Sequence, residues 1–312
     1  MQAIKKAAIL GAGAMGSFYA SRFSDVGGCS TFLVARGERY ERLKAGGLVV
    51  NGEPYAISVI HPDESNPPAD LIIVALKHHH LPEAVNDLEN LVGSRTTIIS
   101  VMNGLDSEET IGSVYGMEKL LYAVAVGIDA VREGNRVIYT SPGKLYFGEA
   151  VNDHISRRVR NVQETLDRAG IPFETPPDMI RMMWWKFMVN VGMNQASAVM
   201  RAPYGVFQSS ADARALMEDL MREVIVLAKG AGVSLEERDL DDWYPVLDTL
   251  SPLGKTSMLQ DIESGRKTEV EMFGGRVVAM GETQGIPTPV NRTIVHAINV
   301  LEQYRDRHNG CT

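Results

Sequence analysis

Three side chains spaced by four, Lys186, Asn190 and Asn194, carry the most legible chemistry in this chain. Each step of four along an α-helix drifts only about 40°, so the three share one face over about 12 Å. Their neighbours are Met, Val and Ala. A solvated helix face is normally rich in Glu, Lys and Arg, and this one is not, which sets a binding face above an ordinary wet face. Polar groups in apolar surroundings cost free energy unless they are hydrogen-bonded. Amides suit a carboxylate or hydroxyl ligand, and a donor is needed wherever a reaction leaves charge on oxygen. A lysine, with a reference pKa of about 10.4, is protonated at rest and can then give up a proton.

A second group sits at the start. Ala7-Ala8-Ile9-Leu10 reads as a short strand, and Gly11-Ala12-Gly13-Ala14-Met15-Gly16 follows it, opening a helix with Phe18, Tyr19 and Phe23 inward. In that context G-x-G-x-x-G predicts a dinucleotide-binding turn. Gly11 allows the tight turn, Gly13 lets backbone approach a pyrophosphate, and Gly16 lets helix pack on strand. Phosphate charge then meets the unpaired N–H groups of the helix start. The next strand, Ser30–Ala35, ends at Arg36, with Glu38 and Arg39 following. An acidic residue there would bind the ribose of NAD. The arginine fork suits a 2′-phosphate instead, so the reading is NADPH over NADH, with Glu38 as the competing feature.

These groups need elements to position them. Asp70–Leu76 and Thr96–Met102 read as buried parallel strands, ending at Lys77 and at Asn103-Gly104. Ligands of such sheets gather at the carboxyl ends of strands, though Lys77 by itself could equally be an exposed lysine. Asn51-Gly52 signals a hairpin. Tyr122–Ile128, Arg136–Thr140 and Lys144–Gly148, with Gly134-Asn135 and Pro142-Gly143 as turns, predict an antiparallel extension. A helix over Ile155–Ala169 and a strand over Ile171–Glu174 lead to Pro176-Pro177. The expected fold class is α/β: an N-terminal Rossmann-type domain over 1–176, then an all-helical C-terminal domain over 177–312. Helical spacing there covers Met179–Val199, Ala211–Ala231 and Thr268–Gln284. Two such domains imply a cleft for a substrate.

Ser257 and Glu269 lie at expected helix starts, Ser257 able to form a capping box with Gln260. On one unbroken helix they would stand about 18 Å and 120° apart, so a shared site requires a break near Gly265. Spacing alone selects neither. His78-His79-His80 lacks metal-ligand spacing and reads as surface, so no metal is expected.

With 31 Lys and Arg against 39 Asp and Glu, the net charge is −8, which argues against nucleic acid as a partner. The longest clean apolar run, Leu71–Leu76, is too short to span a membrane. Cys29 and Cys311, near opposite ends, suggest no disulfide framework. Met1–Lys6 runs into a strand without the regions of an export signal, and the expected location is cytoplasmic.

Taken together the chain resembles the ketopantoate reductase (2-dehydropantoate 2-reductase) family. The resemblance rests on the glycine motif, Arg36, Leu76-Lys77, Asn103-Gly104, Trp185-Lys186-x-x-x-Asn190-x-x-x-Asn194, Ser257-Met258-Leu259-Gln260-Asp261, Thr268-Glu269 and Gly285-Ile286-Pro287-Thr288-Pro289-x-Asn291. It implies NADPH-dependent reduction of a 2-keto acid, ketopantoate, to pantoate, on the route to pantothenate and coenzyme A. Lys186 would be the general acid and Glu269 would hold the substrate hydroxyl. Asn190, Asn194 and Ser257 would bind substrate, and Asn103 would sit between substrate and nicotinamide. The NADP(H) site would comprise Gly11 to Gly16, Arg36, Lys77 and Asn103. The chain departs from the family pattern at Asn194-Gln195-Ala196, where Asn-Pro is usual, at Met102 before Asn103, and at Gly274-Gly275, where Asn-Gly is usual. Another 2-keto acid as substrate, or an NADPH-binding sensor without catalysis, remain the alternatives. The helical half could support a homodimer.

Overall fold

The computed structural model describes residues 3–309, in two compact units, Met1–Met183 and Trp184–Thr312. In the first unit a sheet is built from β1 (Lys6–Leu10), β2 (Ser30–Val34), β3 (Leu48–Val50), β4 (Glu53–Tyr55), β5 (Ser58–Ile60), β6 (Leu71–Val74), β7 (Thr97–Ser100), β8 (Leu120–Glu133), β9 (Arg136–Gly148) and β10 (Phe173–Glu174). The order is β4-β3-β9-β8-β7-β6-β1-β2-β5, with β10 on β9. Strands β7, β6, β1, β2 and β5 are mutually parallel.

The apolar runs follow from burial on both faces. Along β1, Ala7 and Ile9 pack with Phe18, Tyr19 and Phe23 on one side, while Ala8 and Leu10 pack with Leu88 and Leu91 on the other. Both side-chain orientations are therefore apolar, as a covered parallel sheet requires. Each large side chain buried this way contributes about 1.5–3 kcal/mol. The Asn51-Gly52 hairpin forms between β3 and β4, with φ of 50° and 86° at the two positions.

Two local expectations are corrected. Pro142-Gly143 does not end a strand: Ile128 pairs with Pro142 and Val126 with Lys144 in one long antiparallel hairpin. Gly127 and Gly143 take φ of +72° and +58°, letting both strands kink without stopping. Thr268–Gln284 is not one helix. A turn at Glu269 and Val270 leads into a π-helical turn, Glu271–Gly275, before the α-helix Arg276–Gln284.

The proline pair is bound into the first unit. Asn152 donates from its side chain to the Pro176 carbonyl (2.8 Å) and from its backbone to the Pro177 carbonyl (2.8 Å). The division between units falls beyond it, inside the helix Met179–Met200. The second unit is helical, with no strand among its described residues; its longest elements are Ala211–Gly230 and Pro289–Asn309. No helix among the described residues is long and apolar enough to cross a membrane. Cys29 is a half-buried free thiol, and Cys311 lies outside the described residues.

Candidate active site

Strand register collects the first group of residues. Leu10 is level with Val34 and with Val74, and Val74 is level with Ser100. The chain leaves these four strand ends into Gly11, Arg36, Lys77 and Asn103 in turn, so all four lie just beyond one edge of the sheet. That is the edge where open α/β sheets hold ligands.

The glycine turn has the geometry of an anion cradle. Gly11 has φ of +104°, and a Cβ there would stand 2.4 Å from the Ala75 carbonyl oxygen. A Cβ on Gly16 would stand 1.8 Å from the Gly11 carbonyl oxygen, so helix and strand approach as closely as backbone allows. At Gly13 the nearest neighbour to such a Cβ is 4.0 Å away, so this position faces open space. Gly13 caps the helix Ala14–Ser24 with no side-chain hydrogen bond. The first-turn N–H groups of Ala14 and Met15 thus keep their demand for an acceptor, which a phosphate meets. The residues present fit a dinucleotide.

A cleft of about 260 Å³ opens from this turn, its walls including Gly11, Arg36, Arg39, Leu76, His80 and Asp87. Arg36 is exposed and donates to the buried Asp87 carboxylate at 2.5 Å, with Asp63 at 3.8 Å. Asp87, far from Arg36 in sequence, was invisible to motif reading: it comes from a 3-10 turn, Val85–Leu91, that only the fold brings here. It fixes where the guanidinium points. His78, His79 and His80 form one 3-10 turn after Lys77. Among the described residues no cluster of His, Cys, Asp or Glu is arranged to hold a metal.

In the second unit the helix Met179–Met200 runs unbroken through Lys186, Asn190 and Asn194, placing them on one face as the spacing requires. Trp185, the residue before Lys186, is held by its indole Nε1, which donates to the Asp239 carbonyl at 3.0 Å. Lys186 is deep-set but not sealed from solvent, and desolvation holds its ammonium down at about 8. Asn190 and Asn194 are buried, and Asn194 donates to the Asn190 side-chain oxygen at 3.3 Å.

The capping box expected at Ser257 is not formed. Thr256 is the cap, accepting from the Leu259 N–H at 3.1 Å, and Ser257 is the first helical residue. This frees the Ser257 hydroxyl to donate to the Asn194 side-chain oxygen at 3.1 Å, where the Met258 N–H also points at 3.4 Å. The structure thus joins Asn190, Asn194 and Ser257 in one hydrogen-bonded row. The break required near Gly265 exists: the helix Ser257–Glu263 ends there, Gly265 takes φ of +65°, and the Arg266 N–H closes on the Asp261 carbonyl at 2.8 Å. Glu269 stands beyond it, half-buried, in a turn pinned by the Thr268 N–H donating to Glu302 at 2.7 Å.

Two departures from the family pattern meet in space. A Cβ on Gly274 would lie 2.1 Å from the Gln195 side-chain oxygen and 2.6 Å from Val295. Gln195 is fully buried and donates to the Val191 carbonyl (2.9 Å) and to Asn291 (2.8 Å). The glutamine fills the space that glycine leaves.

Known proteins match along nearly the whole chain. The family models for ketopantoate reductase PanE/ApbA and for its C-terminal part match residues 7–152 and 178–302. The 2-dehydropantoate 2-reductase of Archaeoglobus fulgidus is 27% identical over 303 residues, covering 96% of this chain and 98% of its own. That of Streptococcus pyogenes serotype M6 is 25% identical over 298 residues, covering 94% and 97%. Among solved structures, a PanE/ApbA family ketopantoate reductase from Ralstonia eutropha superposes with a TM-score of 0.81 at 25% identity, covering 96% of this chain and 99% of that one. A D-mandelate dehydrogenase solved with NADH and anilino(oxo)acetate shares the fold, with a TM-score of 0.87 at 21% identity and coverage of 96% and 99%. With the glycine turn, the Lys186 helix and both family models in agreement, this chain belongs to the ketopantoate reductase PanE/ApbA family of oxidoreductases.

Proposed function

We propose that this protein reduces the 2-keto group of ketopantoate to the hydroxyl of pantoate, using NADPH, in the supply of pantothenate and coenzyme A. The observation that carries the reading is the deep-set Lys186 on one helix face with the Asn190, Asn194 and Ser257 row. The reduced nicotinamide, when bound, supplies the hydride to the keto carbon. Lys186 gives its proton to the oxygen as that carbon is reduced, so the C=O bond becomes CH–OH and the amine is left to recover a proton from solvent. Its lowered proton affinity suits this, because an ammonium near 8 releases a proton more readily than one at 10.5. The amide and hydroxyl row would hold the substrate's carboxylate and hydroxyl, and Glu269 would accept a hydrogen bond from that hydroxyl. In the first unit Gly11, Ala12, Gly13, Ala14, Met15 and Gly16 would hold the pyrophosphate, Arg36 the 2′-phosphate, and Lys77 and Asn103 the nicotinamide end. A homodimer is consistent with a dimeric ketopantoate reductase from Staphylococcus aureus of the same fold.

A second reading, reduction of a different 2-keto acid, draws on Gln195 and Gly274, which replace the family's usual residues next to Asn194 and after Glu269. One assay separates them: loss of reduced-nicotinamide absorbance with ketopantoate and a panel of 2-keto acids, each with NADPH and NADH. Fast turnover with ketopantoate and NADPH is expected. Turnover only with another keto acid moves the function to the second reading, and dinucleotide binding without any turnover overturns both.

A further inference from the structure

Strand β7 ends at Ser100, a helix begins at Ser107 and runs to Tyr115, and Asn103 sits on the loop 101–106 between them. The two serine hydroxyls meet at 2.7 Å across the base of that loop. Ser107 donates to the Glu108 carboxylate at 2.9 Å, and the Met102 N–H donates to the Ser100 hydroxyl at 3.3 Å. Ser100, Ser107 and Glu108 are buried, none more than 3% exposed. An ionised carboxylate can only accept, so it gives the row one direction: Met102 N–H to Ser100, Ser100 O–H to Ser107, Ser107 O–H to Glu108.

Glu108 is held from a second strand as well. Strand β7 pairs with β8 at Ile98 with Leu120 and at Ile99 with Leu121, and past those pairs the Ala123 N–H of β8 donates to the Glu108 carboxyl. One side chain therefore ties together the end of β7, the start of the helix Ser107–Tyr115 and β8. Asn103 follows directly on Met102, whose side chain is buried in the apolar cluster of Leu10 and Val74 and whose N–H opens the row. Gly104, with φ of +96°, turns the chain away again.

A side chain needed only to fill this space could be apolar, at lower cost than taking a carboxylate out of water. A charged acceptor at the end of two hydroxyls instead makes the stronger bonds and fixes their direction. Resting on the reading that Asn103 stands between nicotinamide and substrate, we propose that Glu108, through Ser107 and Ser100, is a positioning residue for hydride transfer. It holds the loop 101–106 so that Asn103 meets the reacting groups. Glu108, closed off from solvent, acts along the row and not by contact with either ligand.

The test is a double-mutant cycle on the full chain between Ser107→Ala and Asn103→Ala, with Glu108→Gln beside it. Each protein is followed by thermal melt, by dinucleotide Kd, by the emission of bound reduced nicotinamide, and by kcat and KM for the 2-keto acid that wild type reduces. Ser107→Ala is expected to lower kcat about tenfold, because it misplaces Asn103, and to leave the dinucleotide Kd within about twofold. The double variant should be no slower than Asn103→Ala alone, since the row then has nothing left to position. Losses that multiply, or an unchanged kcat in Ser107→Ala, overturn the proposal. Glu108→Gln keeps the volume but sets an amide N–H against a donor, and it decides where Ser107→Ala does not fold. A fall in kcat of about threefold at unchanged Kd is expected there, and an unchanged kcat overturns the proposal. If wild type binds a dinucleotide yet reduces no 2-keto acid, the reduction reading falls by itself. Ser107→Ala must then still reproduce the emission change of Asn103→Ala, and emission identical to wild type overturns the role of the row too. Wild type binding neither dinucleotide brings down both.

Discussion

The sheet edge of the first unit and the Lys186 helix of the second offer a ligand opposite kinds of chemistry. At the sheet edge the offered groups are backbone N–H donors, exposed because Gly11, Gly13 and Gly16 carry no Cβ. Along the helix Met179–Met200 every backbone group inside the helix is already bonded, so recognition falls to side chains: an ammonium, two amides and, from a neighbouring helix, a hydroxyl. A backbone-built site fails when atoms are added. A side-chain-built site fails when atoms are removed.

The largest effect that would sharpen the contrast is Lys186→Ala. Removing a general acid costs about 10²–10⁴-fold in turnover, and binding of the dinucleotide, titrated by fluorescence, should stay within experimental error. Parallel loss of dinucleotide binding would break the separation of roles. Next is Gly16→Ala, an addition of one methyl. With its Cβ 1.8 Å from the Gly11 carbonyl oxygen, the turn must shift. Dinucleotide binding should be abolished and the fold weakened by about 1–3 kcal/mol, read as a lower melting temperature. A normal melt with normal binding would show that the turn tolerates what its geometry forbids.

Smaller is Asn194→Ala, which strands the Ser257 hydroxyl and the Met258 N–H that it accepts. Groups left without a partner cost about 1–3 kcal/mol, and the rise should fall on the keto acid's KM and leave the cofactor's unchanged. The pH profile comes next. If protonated Lys186 is the competent form, the single-turnover reduction rate should fall as pH rises through about 8, the value desolvation gives it. The sign for stability is opposite. The folded lysine titrates below its ordinary 10.5, so the unfolded chain binds more protons between those values and this site's contribution to stability rises with pH there. A rate that stayed flat to pH 10 would remove Lys186 as the proton donor.

The smallest effect lies in the first unit, at Glu108. Its buried carboxyl, accepting from the Ser107 hydroxyl at 2.9 Å, is pushed up to about 7, chiefly by desolvation. The folded chain binds the extra proton between 4.5 and 7, so this site's contribution to stability falls as pH rises across that window. Glu108→Gln should flatten that part of a pH-dependent melt; an unchanged slope would place the shift elsewhere.

Legibility differed for the same reason the two regions differ. The glycine turn could be read directly because the required backbone excludes other residues at Gly11 and Gly16. Lys186, Asn190 and Asn194 were legible through period alone, since a helix converts a spacing of four into a shared face. At Ser257 the sequence permits a capping box with Gln260, but Thr256, its immediate neighbour, is an equally good cap, and only the fold selects between them. Pro142-Gly143 signalled a turn where a paired glycine across the ladder let the strand continue. The single element expected over Thr268–Gln284 is divided by a turn at Glu269 and Val270 and by a π-helical turn, in which Gly274 lies against Gln195 from a distant part of the chain.

By itself the sequence determined what local physics can determine: the order of elements, the glycine turn, the polar row on one helix and the α/β then helical plan. These depend on interactions between residues a few positions apart. Tertiary structure alone decided which side chains meet: Asp87 on Arg36, Ser257 on Asn194, Gln195 against Gly274 and Arg132 on the glycine turn. Those partners are separated by roughly 50 to 120 positions, where spacing carries no information and only packing of the whole unit fixes contact.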